Sequence, residues 1–117
     1  MGQVCSQRIG YKHFSGTGGQ LDTHRGAQLS PGGRGIIALR STAKNGEIST
    51  IVPCLSAGAE VTVPSQDVDT IVTEFGIADL KGLCVRDRAL ALLIIAHPDH
   101  REQIKEEVMR LGIVPKF

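Results

Sequence analysis

The chain has 117 residues, a formal net charge of +1 and 3% aromatic residues, which suits one domain with a single modest core burying roughly 65% of the surface its unfolded chain exposes. Balanced charge and few aromatics exclude a nucleic-acid partner on composition. The longest apolar run, Ala89 to Ala96, is too short to span a bilayer, and the N-terminus lacks a secretion-type leader, so no membrane partner and a cytoplasmic setting are expected.

Taken in chain order, Gln3 to Ile9 alternates loosely and suits a short strand. Gly10 to Gly35 is rich in glycine and polar residues and closes on the turn Ser30-Pro31-Gly32-Gly33. Its spaced apolar residues (Phe14, Leu21, Ala27 and Leu29) predict an ordered loop with a short helix over Asp22 to Leu29. Gly35 to Leu39 is a continuous apolar run that reads as a strand buried on both faces. Ser49 to Val52, Glu60 to Val63 and Asp69 to Glu74 are β-branched runs, so four or five short strands should form the sheet. Arg86 to Ala96 is apolar nearly all round and predicts a core helix. Pro98 opens a second helix with Asp99 and Glu102 in its first turn, Ile104, Val108 and Leu111 on one face, and Gly112 as the C-cap. The order loop, strands, helices implies an α/β fold, a sheet of short strands flanked by helices.

The stretch with the strongest chemical signal is Phe14 to Asp22, in which Gly16, Gly18 and Gly19 fall within four positions. Such a backbone can aim successive N–H groups at an anionic oxygen, whether of a phosphate or of an acyl-transfer intermediate. Cys5, Cys54 and Cys84 are odd in number, scattered and without a C-x-x-C pair. Neither a disulfide frame nor a metal site is expected, and the default for these cysteines is small buried filler. His13, His24, His97 and His100 show no ligand spacing. His24 merits attention because it directly follows the glycine loop, and His97 reads as a neighbour of a helix N-cap. Asp79 is expected to pair with Arg86 or Arg88, and Glu74, just after a β-branched run, would otherwise cap Gly76 or pair with Arg86.

Several of these stretches occur in a distinctive order: Gly2-Gln3-Val4, the Gly16 to Asp22 loop, Arg25-Gly26-Ala27, Ile36 to Leu39 with Ser41-Thr42-Ala43-Lys44, Ile48 to Pro53, Asp67-Val68-Asp69, Val72 to Gly82, Arg86 to Ala89 and Ala96-His97-Pro98. In this the chain resembles, over residues 1–117, the C-terminal domain of the acetyl-CoA hydrolase/transferase family. Within that family it is most similar to the 4-hydroxybutyrate and butyrate:acetate CoA-transferases. The resemblance implies a NagB/RpiA/CoA-transferase-like domain that exchanges CoA between an acyl-CoA and a short-chain carboxylate through a glutamyl-CoA thioester. It implies an oxyanion-stabilising N–H at Gly19, with Gly16 and Gly18 shaping the approach, a CoA contact at Lys44, and Glu74 beside the acyl pocket. Coenzyme A or acyl-CoA enters as substrate, and no metal is implied.

The family's nucleophilic glutamate lies upstream of this domain. Glu47 and Glu74, the carboxylates near matching motifs, do not occupy its motif. The chain is therefore expected to be inactive alone and to work with an N-terminal half or within a homo-oligomer. Cys5 stands where relatives carry asparagine and Thr23 where they carry an aromatic, which bears on affinity. A CoA-binding or subunit-interaction module without chemistry, and part of an acetyl-CoA hydrolase, are the alternative readings.

Overall fold

Two short parallel strands carry the architecture. Their register is Ile36 opposite Thr70, Ile37 opposite Ile71 and Ala38 opposite Val72. In the computed structural model, which describes residues 1–116, the elements in chain order are β1 (Arg8–Ile9), β2 (Lys12–His13), α1 (Gln20–Leu29), β3 (Ile36–Ala38), β4 (Thr42–Ala43), β5 (Ile48–Ser49), β6 (Thr70–Thr73), β7 (Gly76–Asp79), α2 (Val85–Ile95) and α3 (Pro98–Arg110). The central sheet has the order β3-β6-β7, with β7 antiparallel to β6, and β1-β2 and β4-β5 form separate two-stranded ribbons.

The α/β class is as expected, but the sheet differs from the sequence reading in its members. Glu60 to Val63 does not form a strand; Val63 makes only an isolated antiparallel bridge to Val4. Ser49 to Val52 reaches strand geometry only at its start, in β5. Gly76–Asp79 supplies the third strand instead, a segment whose glycine start masked its strand character. Gln3 to Ile9 contributes the Val4 bridge and the two residues of β1.

The two faces of the sheet are unequal. The register places Ile37, Ile71 and Ala78 on one face, and there the buried core gathers Ile71, Ala78, Leu80, Ile95, Ile104 and Val108. On the other face Ile36 is 58% and Ile77 69% exposed. The expectation that Gly35 to Leu39 is buried on both faces therefore fails: β3 is an edge strand, and α1 covers only the end of the sheet near Gly35 and Asp69.

Helix α2 is also not buried all round. Ile95 is fully buried whereas Leu90 and Ile94 are exposed, because only one side of α2 meets the sheet. It ends at Ile95 with Ala96 as its C-cap, and Pro98 disfavours helical geometry for His97. The His97 Nδ1 accepts the Asp99 N–H at 3.1 Å and caps α3. At the far end Gly112, with φ 69°, donates to the Met109 carbonyl and Ile113 to the Val108 carbonyl, a Schellman closure. It folds Val114 into the core, while Leu111, expected on the buried face, is exposed. Among the described residues no helix is long and apolar enough to cross a membrane.

Candidate functional site

The glycine loop sits where α1 begins. Gly19 occupies the N-cap position of α1 with φ −99° and no side-chain cap, so the helix starts two residues earlier than Asp22. Its carbonyl accepts the Thr23 N–H at 2.9 Å and the Thr23 hydroxyl at 2.9 Å. The N–H groups of Gly16, Gly18 and Gly19 donate to no other main-chain or side-chain group among the described residues. A Cβ built on any of these three glycines would meet nothing within 4 Å. The loop is therefore open backbone with free donors at the positive end of a helix dipole, a setting that favours an anion. Gln7 fixes it from beneath: its carbonyl accepts the Phe14 N–H at 3.1 Å, and its side-chain oxygen accepts the Thr17 hydroxyl at 3.3 Å.

Polar bonds hold α1 in place. Arg25 donates to both Asp67 carboxylate oxygens at 2.7 and 3.0 Å, and Gln28 donates to the Asp67 carbonyl at 2.7 Å. The Arg25 guanidinium holds the Asp67 carboxyl below its usual range. His24 is buried, and its Nε2 accepts the Asp69 N–H at 3.2 Å. With that nitrogen committed as an acceptor to the end of β6, His24 is a structural tie, and its nearness in sequence to the loop does not make it a base. Gly35 packs flat against this ring; a Cβ there would lie 2.6 Å from the His24 Cε1.

Glu74 lies at the tip of the β6-β7 hairpin and is exposed. It neither caps Gly76 nor pairs with Arg86. Its Oε1 accepts the Ser41 N–H at 2.7 Å, and hydrogen bonding from Ser41 holds the carboxyl below its ordinary value. The buried Ser41 Oγ itself makes no well-directed hydrogen bond among the described residues. Ser41 is the root of the β4-β5 ribbon, where its carbonyl also accepts the Thr50 N–H at 2.9 Å. Lys44 is at the tip of the same ribbon. It is exposed and lies in the left-handed region with φ 49°, followed by Asn45 at 56° and Gly46 at 90°.

The structure thus brings Glu74 and the Lys44 ribbon together through Ser41, and it places the glycine loop on a separate support built on Gln7. A cleft of about 610 Å³ is mainly apolar, and Val4, Ile37, Leu39, Ile51 and Leu92 are among its lining residues. Gly16, Gly18, Gly19, Lys44 and Glu74 do not line it. Cys5 and Cys54 do; Cys54 and Cys84 are exposed and Cys5 is half-buried, so these cysteines are not buried filler. Cys5 follows the bridge residue Val4, Cys54 lies in a bend, and Cys84 is the N-cap of α2. Asp79 pairs with Arg34 at 3.6 Å rather than with Arg86 or Arg88. Arg88 instead donates to the carbonyls of Met1, Leu83 and Ser65, acting as a backbone clasp that ion-pair reasoning could not find. Among the described residues no group of three or more His, Cys, Asp or Glu side chains could hold a metal ion.

The sequence profile of the acetyl-CoA hydrolase/transferase C-terminal domain matches residues 1–108. The chain is 55% identical over 107 residues to a 4-hydroxybutyrate coenzyme A transferase of Clostridium kluyveri, covering 92% of this chain and 25% of that protein. It is 52% identical over 112 residues to a succinyl-CoA:cyclohexane-1-carboxylate CoA transferase of Geobacter metallireducens, covering 96% of this chain and 26% of that one. The fold is similar to the crystal structure of RipA from Yersinia pestis, with a TM-score of 0.88 and 42% identity over 97% of this chain and 25% of that chain. The chain spans about a quarter of the length of the curated relatives it matches.

Proposed function

Because the chain belongs to the acetyl-CoA hydrolase/transferase family, as a C-terminal domain of it, we propose that it forms the CoA- and acyl-facing wall of an enzyme that exchanges CoA between an acyl-CoA and a short-chain carboxylate. The observation that carries this reading is the open loop at Gly16, Gly18 and Gly19, with free N–H groups at the head of α1.

In the exchange a glutamate carboxylate, not among these 117 residues, attacks the thioester carbonyl carbon and expels CoA as its thiolate. An acyl-glutamyl anhydride results. The thiolate then attacks the glutamyl carbonyl and releases the first carboxylate, leaving a glutamyl-CoA thioester, and an incoming carboxylate reverses both steps. Each addition places negative charge on a carbonyl oxygen. The Gly19 N–H is the donor for that oxygen, and losing one such donor typically costs about 3 kcal/mol of barrier. Gly16 and Gly18 keep side chains away from the approach. Lys44 supplies a mobile cation for a phosphate or carbonyl oxygen of CoA. Glu74 serves as a fixed neighbour of the acyl group, held ionised by the Ser41 N–H, and is not the nucleophile.

Calorimetric titration with coenzyme A tests the binding half of this proposal. The unsubstituted chain is expected to give saturable heat, with Gly19→Val and Lys44→Ala each weakening it; no heat from any of the three would favour an interaction module. The chemical half is tested by acetyl transfer from acetyl-CoA to butyrate. The chain alone is expected to give none, and turnover that Glu74→Gln abolishes would make Glu74 the nucleophile and overturn the assignment.

A further inference from the structure

The β4-β5 ribbon that carries Lys44 is held at two points. At its root the Ser41 N–H donates to Glu74. At its tip the Gly46 carbonyl lies 2.8 Å from the His100 Nε2. A carbonyl can only accept, so the His100 Nε2 must carry the proton and donate, whether the ring is neutral or cationic. This bond spans 54 residues and ties α3 to the tip of the ribbon.

The tip needs such a tie. Lys44 and Asn45 are the non-glycine residues with positive φ among the described residues, and Gly46 extends the left-handed run to three. Each non-glycine residue held there costs on the order of 1 kcal/mol, and persists only where its surroundings over-determine it. Inside the ribbon the tip is closed by the Glu47 N–H to the Lys44 carbonyl at 3.2 Å. His100 itself is half-buried and braced. Its ring meets His97 edge-on at 6.0 Å, and His97 meets Phe75 edge-on at 5.1 Å. The Arg101 guanidinium sits 5.7 Å over the Phe75 ring. Phe75 follows Glu74 in the chain, so the brace starts at the hairpin tip that also anchors the ribbon's root.

We propose that His100 is a positioning residue for Lys44: its Nε2–H fixes the left-handed turn Lys44-Asn45-Gly46 and so presents the Lys44 ammonium to bound CoA. The inference rests on the reading of Lys44 as a CoA contact. His100 touches no substrate and acts through the turn alone.

Two substitutions separate the donor from the ring. His100→Phe keeps an aromatic ring against His97 and removes the donor, whereas His100→Gln loses the ring and keeps an N–H at similar reach. Backbone relaxation by NMR on the unliganded 117-residue chain reads the turn. In His100→Phe the order parameters of Asn45 and Gly46 should fall from near 0.85 to below about 0.6, with His100→Gln holding them. Titration with coenzyme A reads the consequence. Lys44→Ala should weaken binding about tenfold and His100→Phe about threefold, and the double variant should bind no more weakly than Lys44→Ala alone. His100→Gln should bind like the unsubstituted chain. An unchanged turn in His100→Phe, or additive losses in the double variant, overturns the role of His100 while leaving Lys44 in place. If Lys44→Ala binds CoA as the unsubstituted chain does, or the unsubstituted chain does not bind it, the reading of Lys44 falls and this proposal with it.

Discussion

The α2-α3 face of the β3-β6-β7 sheet and the end that meets α1 are built on different physics. Toward α2 and α3 the contacts are apolar and dry: Leu80, Ile95 and Ala96 are fully buried, and Thr73 spends its hydroxyl on the Ile95 carbonyl at 2.6 Å. Toward α1, where Leu21 alone packs against the core cluster, the contacts are mainly directional and polar, made by Arg25, Gln28 and His24 to the Asp67–Asp69 segment, while Ile36 and Ile77 stay exposed. Apolar burial is the larger source of stability and does not depend on exact orientation. Hydrogen bonds give little net stability but fix direction. The difference teaches where each task is done: the α2-α3 side holds the fold, and the α1 side aims the glycine loop.

Breaking the dry side should therefore cost most. Leu80 is fully buried, and its Cδ1 lies 2.7 Å from where a Cβ on Gly2 would sit, so Leu80→Ala leaves a cavity that the neighbouring backbone cannot fill. A loss of about 3 kcal/mol is expected, read from the urea unfolding midpoint. Thr73→Val strands the Ile95 carbonyl and the Phe75 N–H, which donates to the Thr73 hydroxyl at 3.1 Å; about 2 kcal/mol should be lost in the same assay.

Breaking the polar side should cost less in global stability and more in the placing of the loop. Gly35→Ala puts a methyl group into the His24 ring and should cost about 1–2 kcal/mol. His24→Ala removes both the ring and the acceptor for the Asp69 N–H. In the double variant the Gly35→Ala penalty should largely vanish, because the clash has no partner. Hydrogen exchange should show α1 opening in either single variant before the β6-β7 and α2 amides do. If α1 and α2 open together, the two sides are one cooperative unit and the distinction between them fails.

Legibility from sequence followed the same divide. Helices α2 and α3 were readable because an apolar run, a proline at the helix start and a glycine past its end are local signals. The glycine loop was readable as a cluster, and the ordered motifs around it identified the family. The sheet was misread where the signal was not local. Glu60 to Val63 has strand composition and lacks a neighbour to pair with along its length. Gly76–Asp79 is weak in composition, but β6 lies beside it. Ion pairs were the least legible: the partner of Asp79 is Arg34, 45 positions back in the chain, and nothing in the spacing of Arg86 or Arg88 excluded them. Of the candidate site, the residue types were visible in sequence, whereas the Ser41 bond to Glu74 and the His100 bond to Gly46 depend on packing that brings distant loops together.

The smallest effect sharpens the comparison by pH. The Asp67 carboxyl is held below its ordinary 3.8 by the Arg25 hydrogen bonds, and the Glu107 carboxyl below its ordinary 4.5 by Arg110. A carboxylate with a depressed folded-state pKa contributes stability that is fully present above its unfolded value and is lost as pH falls through the folded one. Both pairs should therefore be silent near neutrality and weaken below about pH 4. In each pair the arginine is exposed and the carboxylate half-buried, so solvent and salt screening keeps each contribution small. Their reach differs. Glu107 and Arg110 lie three residues apart on α3, and Glu107→Gln should reduce only the acid sensitivity of that helix. Asp67 joins α1 to the sheet across 42 residues, so acid should loosen α1 first, and Asp67→Asn should already show that loosened α1 at neutral pH. The readout is amide exchange at His24 to Gln28 between about pH 6 and pH 3, corrected for intrinsic rates. An α1 that stays as protected in Asp67→Asn as in the unsubstituted chain would assign its placement to His24 and Gln28 alone.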